Sequence, residues 1–314
     1  MANIAYKFRI YPDKEQKIML AKTFGCVRLV YNKFLDRRKT EYEDNKKTVS
    51  YTTCAKEMAE MKKTKEYNFL KEVDSIALQQ SLRHLDTAFS NFFKVKNSGY
   101  PRFKSKKDTK RSYSTVLVNG NISLTNNYLK LPKVGNVKLK QHRKIPYYYK
   151  LKSITVSQNA SEKYYASILF EYEKQVSKNI AYNFLGLDFS MHGLYKDSNG
   201  KEAEYPRYYR KAEQRLKKEQ RKLSLMKKGS KNRDKQRIKL AKVHEKVANC
   251  RKDFLHKLSR ELADTYDCIC IEDLNMQQMS KAVNTSLRVL LCRICVPYGH
   301  NLQFKSVHIL SGAF

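Results

Sequence analysis

The chain has 314 residues, and its 64 Lys and Arg against 30 Asp and Glu give a formal charge of +34. A surplus of that size attracts polyanions, and counterion release makes nucleic acid the default partner. No run approaches the ~20 apolar residues needed to span a bilayer, and MANIAYKFRIYP has no signal-peptide core, so no membrane partner is expected and a soluble, intracellular protein is.

The opening IAYKFRIYP alternates and predicts a strand closed by Pro12. From Asp13 to about Lys96 the period becomes helical. Asp13 is placed to cap a helix carrying Ile18, Met19 and Leu20, with Val27, Val30, Tyr31 and Phe34 recurring at helical spacing. A later stripe, Ile76, Leu78, Leu82, Leu85, Ala88, Phe89, Phe92 and Phe93, predicts a helix with that face in the core. Gly99 and Pro101 break it. In the segment that follows, SGYPRFKSKKDTKRS, Arg102, Lys104, Lys106 and Lys107 surround Phe103. Cations around an aromatic ring suit a loop pressed on a phosphate backbone, and a solvated basic linker is an equal alternative. From Ser114 to Glu173 the signals are strand and turn, and Asn119-Gly120 in VLVNGNISL predicts a hairpin. The alternation continues through NNYLKLPKVGNVKLK, YYYKLKSITVSQ and KYYASILFEYE, predicting a small β-barrel or strongly bent sheet. The first strand completes it, with the helical block inserted between.

A third region begins at about Lys178. FLGLDFS is an apolar run ending in Asp188, and a hairpin is expected to turn at Ser198-Asn199-Gly200. Between Arg207 and Arg260 stand about twenty Lys and Arg against five Asp and Glu. Gly229 divides this stretch into two antiparallel helices, and Arg221, Lys227, Lys228, Lys231 and Arg233 are candidate nucleic-acid contacts. The second helix shows one apolar face, Val243, Val247, Phe254, Leu255, Leu258 and Leu262. A buried strand, Cys268 to Ile271, then breaks into Glu272 and Asp273.

Two acids at the ends of separate strands, Asp188 and Glu272, are what metal-assisted phosphodiester cleavage requires. Hard Mg²⁺ (or Mn²⁺) prefers carboxylate oxygens, and two ions about 4 Å apart activate the attacking water and stabilise the leaving oxygen. Side chains alternate along a strand, so Glu272 and Asp273 face opposite ways and only one joins a given site. The neighbouring acid, Asp273, is suited to cap a following helix. The competing reading is that each strand-end acid is a turn or cap residue.

The segments GLDFS, YYRKAEQRLKKEQRKLS, KKGSKNRDKQRIKLAKVHEKVANCRKDFLHKLS and IEDLNMQQMSKA, with YKFRIYP and GYPRFKSK before them, resemble the TnpB (OrfB-type) proteins of bacterial insertion sequences over roughly residues 1–283. The resemblance implies an RNA-guided DNA endonuclease of the transposable-element class, acting in a bacterial cytoplasm at the nucleoid. Its partners would be a guide RNA from the transposon end and double- and single-stranded DNA. It implies an α+β multidomain fold. A β-barrel wedge domain (1–10 and 110–177) carries a helical recognition insertion (11–109), and a RuvC-like, RNase H-like nuclease domain (178–280) follows. Carried onto this chain, the first catalytic acid is Asp188 and the second Glu272, both holding Mg²⁺.

The resemblance departs at the end. Family members continue through a zinc-binding insertion with two CxxC pairs to a third catalytic Asp, whereas residues 274–314 contain neither Asp nor Glu. Cys292 and Cys295 form one CxxC and, with His300 and His308 downstream, are candidate ligands of a four-coordinate zinc site, at a spacing that is not the family's. The other cysteines are scattered singly, which suits a reducing compartment. The expectation is an aberrant tail at 281–314, truncated or out of frame, with zinc lost and cleavage weak. The alternative function is a nuclease-dead, RNA-guided DNA-binding protein or the product of a decayed element. A strand-transferring transposase is a third reading, without a Tyr/His-pair motif to carry it.

Overall fold

The computed structural model describes residues 1–96, 98–108, 111–125, 127–173, 182–190 and 193–271. The chain divides into two units, Met1–Lys174 and Gln175–Phe314.

The first unit opens with strand β1 (Ala2–Tyr11), whose alternation buries Phe8 and Ile10. Pro12 ends it, and Asp13 caps helix α1 (Lys14–Asn45) through a capping box: Gln16 N–H donates to Asp13 Oδ1 at 2.8 Å, and Asp13 N–H donates to Gln16 Oε1 at 3.1 Å. Helix α2 (Tyr51–Met61) is capped by Ser50, and α3 (Ser75–Lys94) by Asp74. The remaining strands are β2 (Arg111–Val116), β3 (Ser123–Thr125), β4 (Tyr128–Leu131), β5 (Gly135–Lys140), β6 (Lys150–Gln158) and β7 (Tyr164–Tyr172). They form a seven-stranded antiparallel sheet in the order β2-β6-β7-β1-β5-β4-β3, a curled half-barrel with open edges at β2 and β3. β1 lies in its middle, paired with β7 from Ala2↔Tyr172 to Ile10↔Tyr164 and with β5 at its far end. The helices therefore leave and re-enter the chain path between two strands of one sheet.

One continuous core joins sheet and helices, including Phe8, Leu20, Leu35, Leu78, Leu85, Ile154 and Ile168. Two buried polar contacts fix the packing. Asp74, 5% exposed, accepts from Ile76 N–H at 2.9 Å and from the Thr115 hydroxyl of β2 at 2.6 Å. The Ser81 hydroxyl of α3 donates to the Val27 carbonyl of α1 at 2.8 Å.

Two expectations are corrected. Asn119 and Gly120 do make a turn, with φ of 48° and 68° and Asn121 N–H donating to Val118 O at 3.1 Å. Yet its flanks do not form a hairpin: β2 pairs with β6, and β3 with β4. Turn chemistry is local, whereas pairing follows burial, and β2 buries Tyr113 and Thr115 beside the Ile154 and Val156 of a longer strand. The apolar stripe of α3 also ends early, because Phe92 is 36% and Phe93 73% exposed.

In the second unit, β8 (Phe184–Phe189) is the central strand of a three-stranded sheet, between β9 (Tyr195–Asp197) and β10 (Cys268–Ile271). β9 is antiparallel to β8 and turns back through Gly200 at φ 81°. Helix α4 (Tyr208–Leu225) and helix α5 (Lys231–Thr265) pack as a pair joined through Gly229, whose φ of 85° suits glycine. Gln236 of α5 meets Glu219 of α4, and the far end of α5 packs Leu262 with Leu185, Leu187 and Ile269 of the sheet. Among the described residues no helix is long and apolar enough to cross a membrane.

Candidate active site and nucleic-acid interface

β10 runs parallel to β8 in the register Cys268↔Phe184, Ile269↔Leu185, Cys270↔Gly186 and Ile271↔Leu187. Leu185 and Leu187 face the core with Ile269, and Ile271 packs against the same cluster. Alternation puts Gly186 and Asp188 on the other face, and Asp188 is exposed there. Across β9 its register partner is Lys196. Parallel strands present their carboxyl ends at one edge, and β8 delivers Asp188 to that edge. Glu272 and Asp273 are the next two residues after β10 and lie outside the described residues, as do Cys292 and Cys295 and the acid-free stretch 274–314.

The edge is held by close backbone contacts. Gly193 N–H donates to Ser190 Oγ at 3.1 Å, and a Cβ at Gly193 would lie 2.8 Å from the Ala203 carbonyl oxygen. At the other end of the same strand pair, Asp267 Oδ2 accepts from the N–H groups of Tyr182 and Asn183, each at 3.1 Å. The metal question is one of donor chemistry. Asp188 offers hard carboxylate oxygens and has no ion pair among the described residues, which fits Mg²⁺ as one ligand. Among the described residues no three His, Cys, Asp or Glu gather into a metal cluster.

The cations divide into those with structural partners and those without. Asn32 clamps Lys104 at two points, with Lys104 N–H donating to Asn32 Oδ1 at 2.8 Å and Asn32 Nδ2 donating to Lys104 O at 2.9 Å. Although much of Lys104 is exposed, its ammonium lies 3.8 Å from the Tyr31 ring centre, and this burial lowers its pKa. Burial, and then Lys104, lower the pKa of His84. The loop closes on itself through Asp108, which accepts from Ser105 N–H at 3.0 Å. Arg102, Phe103, Lys106 and Lys107 are left facing solvent. Arg28, which sequence reasoning passed over, and Arg111, at the end of the basic segment, line a cavity of about 430 Å³ with Phe24 and this loop. The available signal was a cation four residues after Phe24 on the apolar side of α1.

In the second unit Arg221, Lys227, Lys228 and Lys231 are exposed and have no ion pair among the described residues. Arg233 differs. Its Nη1 donates to the carbonyls of Leu223 and Met226, the latter at 3.0 Å, and so satisfies the end of α4. Glu219 is buried between the helices. A hydrogen bond from Gln236 at 2.6 Å, and then Lys239 at 3.3 Å, hold its pKa below the usual carboxylate value.

A family described as a probable transposase matches residues 167–283, and one described as a helix-turn-helix domain matches residues 1–47. In this structure residues 1–47 are β1 and the single continuous α1, not two helices about a turn. A Streptomyces pristinaespiralis protein bearing the name RNA-guided DNA endonuclease is 37% identical over 95% of this chain and 76% of its own length. An Escherichia coli K12 protein of the same name, InsQ, is 32% identical over 88% of this chain and 68% of its own. In fold, a chain of the Cas12f1–sgRNA–target DNA complex aligns with a TM-score of 0.50 at 11% identity, over 89% of this chain and 82% of that one.

Proposed function

Because the chain belongs to the OrfB (TnpB-type) family of insertion-sequence proteins, we propose that it acts as an RNA-guided DNA endonuclease, with Asp188 and Glu272 as its carboxylate pair. The observation that carries the site is the parallel register of β8 and β10. Cys270 stands opposite Gly186 and Ile271 opposite Leu187, and this parallel register supports the reading in which the acid two positions after Cys270 is the partner of Asp188.

Asp188 and Glu272 would hold Mg²⁺, or Mn²⁺, which when bound supplies positive charge for the phosphate oxygens and an acidified water. The work of this chain's residues is to bring the phosphodiester to that edge. Exposed lysines on α4, on α5 and in the 227–231 connection attract the phosphate backbone, as do Arg102, Lys106 and Lys107 on the first unit. A guide RNA and its DNA target are polyanions that such surfaces hold without reading sequence, which leaves sequence choice to base pairing. A guide transcribed from the element's own end would be the natural RNA.

The test is guide-programmed cleavage of a DNA target in Mg²⁺ or Mn²⁺. Metal-dependent cleavage lowered at least about 100-fold by Asp188→Ala and by Glu272→Ala, but little by Asp273→Ala, supports the reading. Cleavage that survives Asp188→Ala overturns the assignment. RNA-directed DNA binding without any cleavage would make the protein a guided binding protein instead.

A further inference from the structure

The loop from Gln141 to Tyr149 carries three consecutive tyrosines with Arg143 and Lys144, and β6 then opens with Lys150 and Lys152. Tyr149 N–H donates to the Pro146 carbonyl at 3.1 Å, closing a tight turn with Tyr147 and Tyr148 at its tip. Turn tips ordinarily carry Gly, Asn, Asp or Ser, because those residues suit the backbone and lose nothing to water. Here Tyr147 is 98% and Tyr148 54% exposed.

The rings are nonetheless held by the fold. Tyr149 stacks on Tyr172 with centroids 4.8 Å apart and planes 24° apart, and it also meets Tyr6 and Phe170. Tyr148 stands edge-on to Tyr149 at 5.1 Å, and Tyr147 edge-on to Tyr148 at 5.5 Å. A chain of aromatic contacts thus leads from the buried sheet face to a ring in open water. Lys144 and Lys150 flank the tip and have no ion pair among the described residues.

We propose that the Tyr147–Tyr148 turn is a stacking step for an unpaired base of single-stranded RNA, with Lys144 and Lys150 on the adjoining phosphates. Glu171 pairs with Lys152 and stands across the ladder from Lys150, so the cations outnumber the one acid near them. That surplus favours a polyanion over a protein partner, and open ring faces select an unstacked base over a duplex. RNA is the source because a folded RNA displays unpaired loop bases, whereas a DNA duplex keeps its bases stacked inside. This proposal rests on the RNA-binding part of the proposed function and names one of its contacts.

The experiment uses the full chain, a fluorescein-labelled 12-nucleotide oligo(A) RNA, the DNA oligomer of the same sequence, and an RNA duplex. At about 0.5 M salt the phosphate contribution is weakened and stacking remains. Tyr147→Ala should weaken RNA binding roughly tenfold, Tyr147→Phe should stay within about twofold, and short-wave ultraviolet light should cross-link the RNA to the peptide bearing Tyr147 and Tyr148. The thermal midpoint of Tyr147→Ala should match the parent, since the ring is exposed. Unchanged RNA affinity in both Tyr147→Ala and Tyr148→Ala, or a loss equally large in Tyr147→Phe, overturns the proposal while leaving RNA binding elsewhere intact. A tyrosine dependence seen with the DNA oligomer or the duplex and not with RNA overturns it as well. If the parent chain binds no RNA at low salt, the proposed function falls first, so the two failures are distinguishable.

Discussion

Replacing Asp74 by Ala removes two contacts at once from the joint between α3 and β2. The first is the N-cap bond to Ile76 N–H, 2.9 Å long, and losing such a cap costs about 1 kcal/mol. The second is the acceptor for the Thr115 hydroxyl, 2.6 Å away on a residue that is 0% exposed. A buried hydroxyl left without a partner costs a further ~1–3 kcal/mol. The sum, about 2–4 kcal/mol, is a large part of the ~5–15 kcal/mol that holds a typical domain together. Helical circular dichroism followed through urea unfolding measures it, with Asp74→Asn retaining an acceptor and losing about half as much or less. Thr115→Val removes the hydroxyl but leaves the cap. A double-mutant cycle with Asp74→Ala should therefore show a coupling of roughly 1 kcal/mol or more. An Asp74→Ala variant within about 0.5 kcal/mol of the parent, or strict additivity with Thr115→Val, refutes the reasoning. The first result would mean that water replaces the carboxylate at no cost.

Four further outcomes follow from the second unit. Glu219 has its pKa lowered by the hydrogen bond from Gln236, so its contribution to the α4–α5 pair is present above the ordinary value of 4.5 and is lost as pH falls below it. Glu219→Gln should melt lower than the parent at pH 7, and the difference should close in acid; a gap that persists there contradicts the linkage. Arg233→Ala should cost about 1–3 kcal/mol in stability by uncapping α4 yet barely alter the salt dependence of RNA binding. Lys228→Ala should do the reverse, leaving the melt unchanged and reducing the logarithmic salt slope by about 0.7–0.9. Gly193→Ala places a methyl 2.8 Å from the Ala203 carbonyl, so the backbone must shift where Gly193 meets Ala203 and Ser190, with Ser190 two residues beyond Asp188. Its melting midpoint and DNA cleavage should both fall, with RNA affinity kept.

Much of this protein is written in short stretches of its sequence. The first strand, Pro12 and the Asp13 capping box involve residues within a few positions of one another, and their structure follows from that proximity. The same holds for the Gly229 break between two basic helices and for the apolar run that delivers Asp188 to a strand end. Charge is legible too, since a surplus of +34 needs no fold to be counted. Partnership is not local. Asn119-Gly120 specified a turn, but burial of Tyr113 and Thr115 against a strand some forty residues away chose the pairing. Lys104 and Arg233 read like their neighbours until Tyr31, Asn32 and the last carbonyls of α4 came within reach. Periodicity marked Phe93 as core because it records a face and not where the packing partner ends. Three tyrosines in a row carried no sign of which ring would be covered. Only the closure of the Pro146 turn on the sheet, which half-buries one end of the row and extends the other, decided that Tyr147 would stand in water.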